Sequence, residues 1–381
     1  MDSSNRQSGS VSKWVNSALF NTESARDYFE AFVEGIDPMW SLKHVKARIE
    51  KVQKETADTL TLTLSPTQRF QGFKAGQHLQ ISFDINGVTK TRTFSISSTP
   101  SELTRCNQLQ VTIKAIENGD VTPWIHQHLA VGTVVKLSQA QGEFLIPEQF
   151  KHLLYIAGGS GITPIMSHLR SLINNGCPQA ITVLYYAKTS SDFIFHNELS
   201  VIAKRFKNIN VYFVETQGAK HRDKSNQKRL EGHINEQHLG RALETDPDHC
   251  FICGPHALKV DAEKLVTEFC KEPPRFHLEH FGLPITINES SDSHNQQAFP
   301  VVLNRSQQQM DCDQSTTLLE AAEKQGLKPN HGCRMGICYT CKCKKQSGVV
   351  RNLVTGKLSS TEAEDIQLCV SVPATAVELD L

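Results

Sequence analysis

The chain has 381 residues, 39% of them apolar and 21% charged, and its 40 Lys and Arg balance 40 Asp and Glu. That length predicts more than one domain, and the composition excludes a disordered chain. Zero net charge leaves no overall field to hold nucleic acid or an anionic membrane, and no apolar run approaches the roughly 18 residues needed to span a bilayer.

Residues 1–41 read as an N-terminal extension. Its polar tail lacks the apolar core of a secretory signal, which predicts a cytoplasmic chain. After Thr22 a helix is expected, with Tyr28, Phe29, Phe32 and Val33 near helical spacing and Pro38 as its stop. Residues 42–148 carry six strand-like segments, at 44–50, 59–64, 78–84, 89–96, 109–116 and 134–138, with Asn-Gly turns at Asn86 and Asn118 and a helical segment at 124–129. Such short strands with hairpin signals predict an antiparallel β-barrel. From 149 to 282 the rhythm changes to apolar strands at 153–157, 181–187, 210–215 and 250–253, separated by segments of helical length, which predicts an α/β domain with a parallel sheet. The polar stretch 283–298 reads as a linker, leaving 299–381 as a small third domain.

The eleven cysteines are unevenly spread, and four of them carry a pattern: Cys333, Cys338 and Cys341 with gaps of four and two residues, then Cys369. This is the spacing that holds a 2Fe-2S cluster. Thiolates are soft donors suited to iron, and Gly332 and Gly336 supply the freedom a tight loop needs for backbone N–H groups to turn toward the sulfurs. A zinc ribbon would want two close Cys pairs, and only one is present. Cys343 reads as a packed thiol turned away from Cys341. The stretches TTLLEAAEKQGL, HGCRMGICYTCKCKKQSG and LSSTEAEDIQLCVSVP resemble the plant-type ferredoxin family, which implies an α+β β-grasp fold over 299–381. Nine Lys and Arg offset nine Asp and Glu there. Lys342, Lys344 and Lys345, beside the loop, read either as a face for an acidic partner or as a solvated face.

In the barrel segment, Arg92, Phe94 and Ser95 offer a planar fork for a pyrophosphate, a flat ring for stacking and a hydroxyl. Val121 and Thr122 begin a helix whose N–H groups can meet phosphate. After the first α/β strand, Gly158, Gly159 and Gly161 let backbone approach a dinucleotide closely, although Pro164 stands where a third motif glycine would be. Together these resemble the ferredoxin-NADP reductase superfamily, with Phe94 in place of its usual Tyr. The resemblance implies that Thr163 lies near the nicotinamide and that Cys253, Gly254 and Pro255 form the second turn against the reacting ring. It further implies that Lys188, beside Ser190 and Ser191, meets the ribose or its 2′-phosphate, and that Glu279 and Phe281 approach the flavin. Lys188 favours NADPH over NADH, while His233 stands where the family often has Arg. FAD is expected in preference to FMN.

The two resemblances, covering 42–381, imply a reductase in which NAD(P)H reduces the flavin, the flavin reduces the 2Fe-2S cluster, and the cluster serves an acceptor one electron at a time. Trp40 and KARIEKVQKETADTLTLTL resemble reductases of membrane fatty-acid desaturases. A desaturase or an oxygenase is therefore the expected partner. A soluble redox partner such as a hybrid-cluster protein, or a non-catalytic module holding zinc, are the alternatives.

Overall fold

The computed structural model describes residues 35–41, 43–85, 88–117, 119, 121–218, 229–280, 298–314, 316–331, 336, 340–353 and 355–381. The helix expected after Thr22, the Asn86-Gly87 turn and Asn118 lie outside the described residues. Among the described residues no helix is long and apolar enough to cross a membrane.

The first domain is built from β1 (Val45–Thr56), β2 (Thr59–Pro66), β3 (His78–Ile85), β4 (Val88–Ser95), β5 (Leu109–Lys114) and β6 (Val134–Leu137), all paired antiparallel in the order β4-β3-β6-β1-β2-β5. A bridge from Ile96 to Val111 ties the end of β4 back to β5 and closes the barrel. Alternation decides the faces. Leu60, Leu62 and Leu64 of β2 point inward to meet Leu109, Val111 and Ile113 of β5, each buried side chain contributing about 1.5–3 kcal/mol. On the other face Thr61 and Thr112 share a hydrogen bond of 2.9 Å. Two short helices, α1 (Pro100–Cys106) and α2 (Thr122–His128), decorate the barrel. Helix α1 was not anticipated, yet its start is written in Thr99-Pro100-Ser101-Glu102: Thr99 and Glu102 form a reciprocal capping box behind a proline.

The second domain is a parallel sheet in the order β10-β9-β8-β7-β11-β12: β7 (His152–Gly158), β8 (Ala180–Ala187), β9 (Ile209–Glu215), β10 (Arg229–Glu231), β11 (His249–Gly254) and β12 (Arg275–His280). Helices α3 (Ile162–Asn174), α4 (His196–Arg205), α5 (Glu236–Ala242) and α6 (His256–Phe269) cross between the strands. Both faces of β7 are covered: Leu153, Tyr155 and Ala157 feed one core while Leu154 and Ile156 feed the other. That is why the strand reads as an unbroken apolar run. The sheet has two strands more than the sequence reading anticipated. Both are outermost and polar, β10 being three residues long and β12 reading RFHLEH, so neither shows the apolar run of a central strand.

The third domain is a mixed sheet, β14-β13-β19-β15-β17, formed by β13 (Phe299–Leu303), β14 (Gln308–Cys312), β15 (Lys342–Ser347), β17 (Glu364–Gln367) and β19 (Val377–Leu379), with β16 (Val350–Asn352) paired to β18 (Ser371–Pro373) beside it. Helix α7 (Leu318–Lys324), started by a Thr317–Glu320 capping box, packs Leu318, Leu319, Ala321 and Ala322 into its core. Strand β15 corrects two expectations. Lys345 is not on a partner face: it is fully buried, and its ammonium donates to the carbonyls of Ser360 and Glu362 at 3.0 and 2.6 Å. Cys343 is packed as read, but it faces inward like Lys345, since residues two apart share a strand face.

The barrel and the parallel sheet are joined partly through His168 of α3. This fully buried imidazole has Nε2 2.9 Å from the Phe144 carbonyl and Nδ1 3.1 Å from the Tyr155 hydroxyl. A carbonyl only accepts, so Nε2 carries the proton and Nδ1 accepts from Tyr155. Burial pushes the His168 pKa down to about 4, against an ordinary 6.5. A lowered imidazole pKa contributes stability that is present above pH 6.5 and lost as pH falls toward 4, here about 3 kcal/mol. His168→Gln is expected to flatten the stability profile between pH 7 and pH 4 by about that amount, which denaturant melts at the two pH values measure directly.

Candidate functional site

Two turns at the C-terminal ends of neighbouring strands meet in the parallel sheet. Strand β7 ends at Gly158, Gly159–Gly161 form one turn of 3-10 helix and α3 begins at Ile162; β11 ends at Gly254, followed by Pro255 and α6. A Cβ on Gly161 would lie 2.0 Å from the Cys253 carbonyl oxygen, and one on Gly158 would strike Pro255 and Leu258 at 2.7 Å. These glycines therefore serve contact between the turns. Gly159 differs: its φ is +55 and nothing lies within 4 Å of the place a Cβ would take, so its backbone faces open space. That space is a cavity of 550 Å³ lined by Gly158, Gly159, Lys188, His233, Gly254 and Pro255. It unites five of the residues singled out in the sequence, with His233. The sequence reading missed Thr216, Asp261 and Lys114, which also line it. Lys114 comes from the barrel, at the end of β5, where it pairs with Asp58 at 3.2 Å. No local pattern marks a residue contributed by the other domain.

Thr163 and Cys253 flank the contact between the turns, and both are buried. The Thr163 hydroxyl donates to the Ser160 carbonyl at 2.9 Å, which closes the turn before α3. Burial pushes the Cys253 thiol well up, with Glu279 adding to the effect and Lys259 opposing it, so it stays protonated. Helix α3 is 13 residues long and follows closely on Gly158, Gly159 and Ser160, which line the cavity, so the partial positive charge of its N-terminus lies next to that lining.

On β4, Arg92 and Phe94 share a face while Ser95 turns to the other. Phe94 is half-buried and meets Phe83 edge-on, with centroids 6.4 Å apart. Arg92 donates to the Thr91 carbonyl at 2.8 Å. Ser95 and its cross-strand partner His78 both reach Glu279, which extends from β12 of the parallel sheet: His78 Nδ1 lies 3.2 Å from Oε1, and the Ser95 hydroxyl donates to Oε2 at 3.5 Å. Burial raises the Glu279 pKa, with His78, Ser95 and Lys259 pulling the other way. Two residues along the same strand face from His78 and Ser95, the cross-strand neighbours Gln80 and Thr93 leave Nε2 and Oγ1 buried with no partner. Both atoms belong to the face of His78 and Ser95, whereas the fork and flat ring that suit a pyrophosphate beside a flavin, Arg92 and Phe94, lie on the opposite face. Val121 and Thr122 open α2 as expected, and the Thr122 hydroxyl accepts from the Ile116 N–H at 2.8 Å. Phe281 lies outside the described residues.

In the third domain Cys341 and Cys369 are buried with their sulfurs 3.2 Å apart, too far for a disulfide and close enough to share one metal. Register puts them there: Lys342 of β15 pairs with Gln367 of β17, so Cys341 and the turn Leu368–Val370 that bears Cys369 follow as neighbours. The Gly336 N–H donates to the Cys369 sulfur at 3.3 Å. Soft, buried sulfurs with an inward N–H suit an iron-sulfur cluster. Cys333 and Cys338 lie outside the described residues.

Three family models match in sequence: an oxidoreductase FAD-binding domain over 46–146, an oxidoreductase NAD-binding domain over 155–264 and a 2Fe-2S iron-sulfur cluster binding domain over 301–374. The chain is similar to an NADPH oxidoreductase of Mycobacterium tuberculosis, 29% identical over 351 residues, covering 91% of this chain and 86% of that protein. It is also similar to a component of the 1,2-phenylacetyl-CoA epoxidase of Escherichia coli, 28% identical over 86% of this chain and 94% of that one. In fold it resembles phthalate dioxygenase reductase, with a TM-score of 0.56 and 21% identity over 89% of this chain and 98% of that one. The barrel, the parallel sheet and the C-terminal domain are thus a flavin domain, a nicotinamide domain and a 2Fe-2S domain, and the zinc-holding alternative is set aside.

Gly161→Ala tests the contact between the turns, because backbone cannot yield to a Cβ 2.0 Å from the Cys253 carbonyl oxygen. Dinucleotide affinity is expected to fall by about tenfold or more, read by titrating NADPH into the flavin-loaded protein, while the flavin spectrum is unchanged.

Proposed function

Because the chain is an oxidoreductase of the ferredoxin-reductase type that ends in a 2Fe-2S domain, we propose that it carries electrons from NADPH to an oxygenase, delivering them one at a time. The observation that carries this reading is the order of three redox modules in one chain. Bound in these modules, a flavin accepts the hydride's electron pair and a cluster passes electrons on singly.

The chain's own residues then have the following roles. Arg92, Phe94, Ser95, Val121 and Thr122 hold FAD, the guanidinium against pyrophosphate and the Phe94 ring against the flavin. Gly158, Gly159, Gly161, Gly254 and Pro255 shape the dinucleotide cradle, and Thr163 and Cys253 align the nicotinamide. Glu279, held by His78, closes the flavin side together with Phe281. Lys188, with His233, meets the adenosine end of the dinucleotide. A cation there supports NADPH as the donor, with NADH as the weaker one, and the name of the mycobacterial relative agrees. Cys333, Cys338, Cys341 and Cys369 hold the cluster. The domain limits we assign are 1–41 for the extension, 42–148 and 149–282 for the flavin and nicotinamide domains, 283–298 for the linker and 299–381 for the cluster domain. An oxygenase is favoured over a membrane desaturase as acceptor because the Escherichia coli relative bears the name of an epoxidase component. A cytoplasmic location suits thiolates that must stay reduced.

Anaerobic titration with NADPH, then NADH, tests the route. Flavin bleaching followed by a rhombic 2Fe-2S electron paramagnetic resonance signal is expected, and a colourless, zinc-bearing protein would overturn the reading. Thr163→Ala and Cys253→Ala are expected to slow flavin reduction by about tenfold or more while dithionite still reduces the cluster. Unaltered rates in both variants would remove their aligning role.

A further inference from the structure

Helix α3 begins at the nicotinamide turn, but one of its faces belongs to the barrel. Thr163, Ser167, Arg170 and Asn174 recur at helical spacing, and the last three reach the segment that follows Ser95. The Ser167 hydroxyl donates to the Ser98 carbonyl at 2.6 Å, Arg170 Nη1 donates to the Ser97 carbonyl at 2.8 Å and to Gln110 Oε1 at 3.2 Å, and Asn174 donates to the Ser101 hydroxyl at 3.5 Å. The remaining nitrogens of Arg170 grip both oxygens of Glu198 on α4, Nε at 2.7 Å and Nη2 at 2.6 Å, and its guanidinium lies 5.0 Å over the Phe195 ring. Phe195 has φ 58, a left-handed conformation that a bulky residue rarely adopts. One planar fork thus ties three separate pieces of chain together.

We propose that Arg170 is a positioning residue for hydride transfer. It locks the register between the nicotinamide turn at the head of α3 and the flavin strand that ends at Ser95. This rests on the function proposed above. Arg170 follows Thr163 by seven positions, about 10 Å along the helix, so Arg170 touches no reacting atom and acts through the helix. With both groups bound, a nicotinamide C–H bond would break and its hydrogen, with both electrons, would form an N–H bond on the flavin. Such a transfer needs the reacting atoms about 3–3.5 Å apart, and a 1 Å misplacement can cost about a hundredfold in rate. Lysine cannot replace the fork, because a point charge can serve Glu198 or the Ser97 carbonyl but not both in plane.

The test compares R170Q, R170K and S167A in the full-length protein loaded with flavin and cluster, mixed anaerobically with NADPH. In R170Q the limiting rate of flavin reduction is expected to fall about 10- to 100-fold, while the half-saturating NADPH concentration stays within about twofold. The long-wavelength absorbance of the stacked nicotinamide and flavin should fade with the rate. R170K should recover part of both, and S167A should show a smaller loss of the same sign. In flavin-free protein, amide hydrogen exchange over residues 97–101 should quicken in R170Q. An unchanged limiting rate and absorbance in R170Q with full flavin content would overturn the proposal. Should R170Q fail to keep its flavin, an unchanged S167A decides against it equally. If the unsubstituted protein is reduced by neither NADPH nor NADH, the function itself fails and the positioning role falls with it.

Discussion

The turns after β7 and β11 are pressed together until backbone meets backbone, with no room for a single carbon between Gly161 and the Cys253 carbonyl. Much of the molecule follows from this contact. It sets where α3 starts, and α3 carries the rest of the helix face that seats the barrel. It also leaves Gly159 as the place where the backbone is open to a ligand. A dinucleotide cradle is therefore a by-product of how two parallel strands end, consistent with the tendency of open α/β sheets to bind ligands beyond the carboxyl ends of their strands.

The seam between barrel and parallel sheet is polar where a purely structural seam would be apolar. His78, Ser95, Lys259 and Glu279 are all buried there, and the Lys259 ammonium donates to the Glu279 carbonyl at 3.5 Å. Burying ionisable groups is costly, and replacing such a cluster with apolar side chains often leaves a protein as stable or more so. What the polar cluster supplies is direction: each hydrogen bond is satisfied in one relative placement of the two domains. His168 and Arg170 repeat the device along α3. A seam that must hold two cofactor sites at a fixed spacing gains more from such directionality than from adhesion.

Much of this was legible because it is local. The strands of the barrel show period-two alternation, β7 and β8 read as continuous apolar runs, and the cysteine spacing needs only a few residues to declare itself. The motif residues Gly158, Gly159, Lys188, Gly254 and Pro255 line one cavity. What stayed hidden is non-local or polar. Lys114 reaches the cavity from another domain, β10 and β12 lie at sheet edges without apolar runs, and His78 matters only because Glu279 arrives from 201 residues away. Lys345 was misplaced because charge alone argued for the surface, whereas the strand's alternation turned it inward onto carbonyls waiting at Ser360 and Glu362.

That buried lysine bears on how the cluster domain is made. Strand β15 begins directly after Cys341, and its pairing with β17 is what sets Cys341 beside Cys369. A slip of one residue would turn every side chain of the strand to the opposite face, exposing Cys343 and Lys345 and burying Lys342 and Lys344. Lys345 penalises that slip, because its ammonium finds its partners only in the native register, where the segment at 360–364 folds around it. Leu368 adds a backbone bond to the Cys341 carbonyl at 3.1 Å on the far side of the pair. The neighbouring placement of the buried Cys341 and Cys369 sulfurs is thereby fixed by strand pairing, so what the sheet contributes at this end of the domain is geometry.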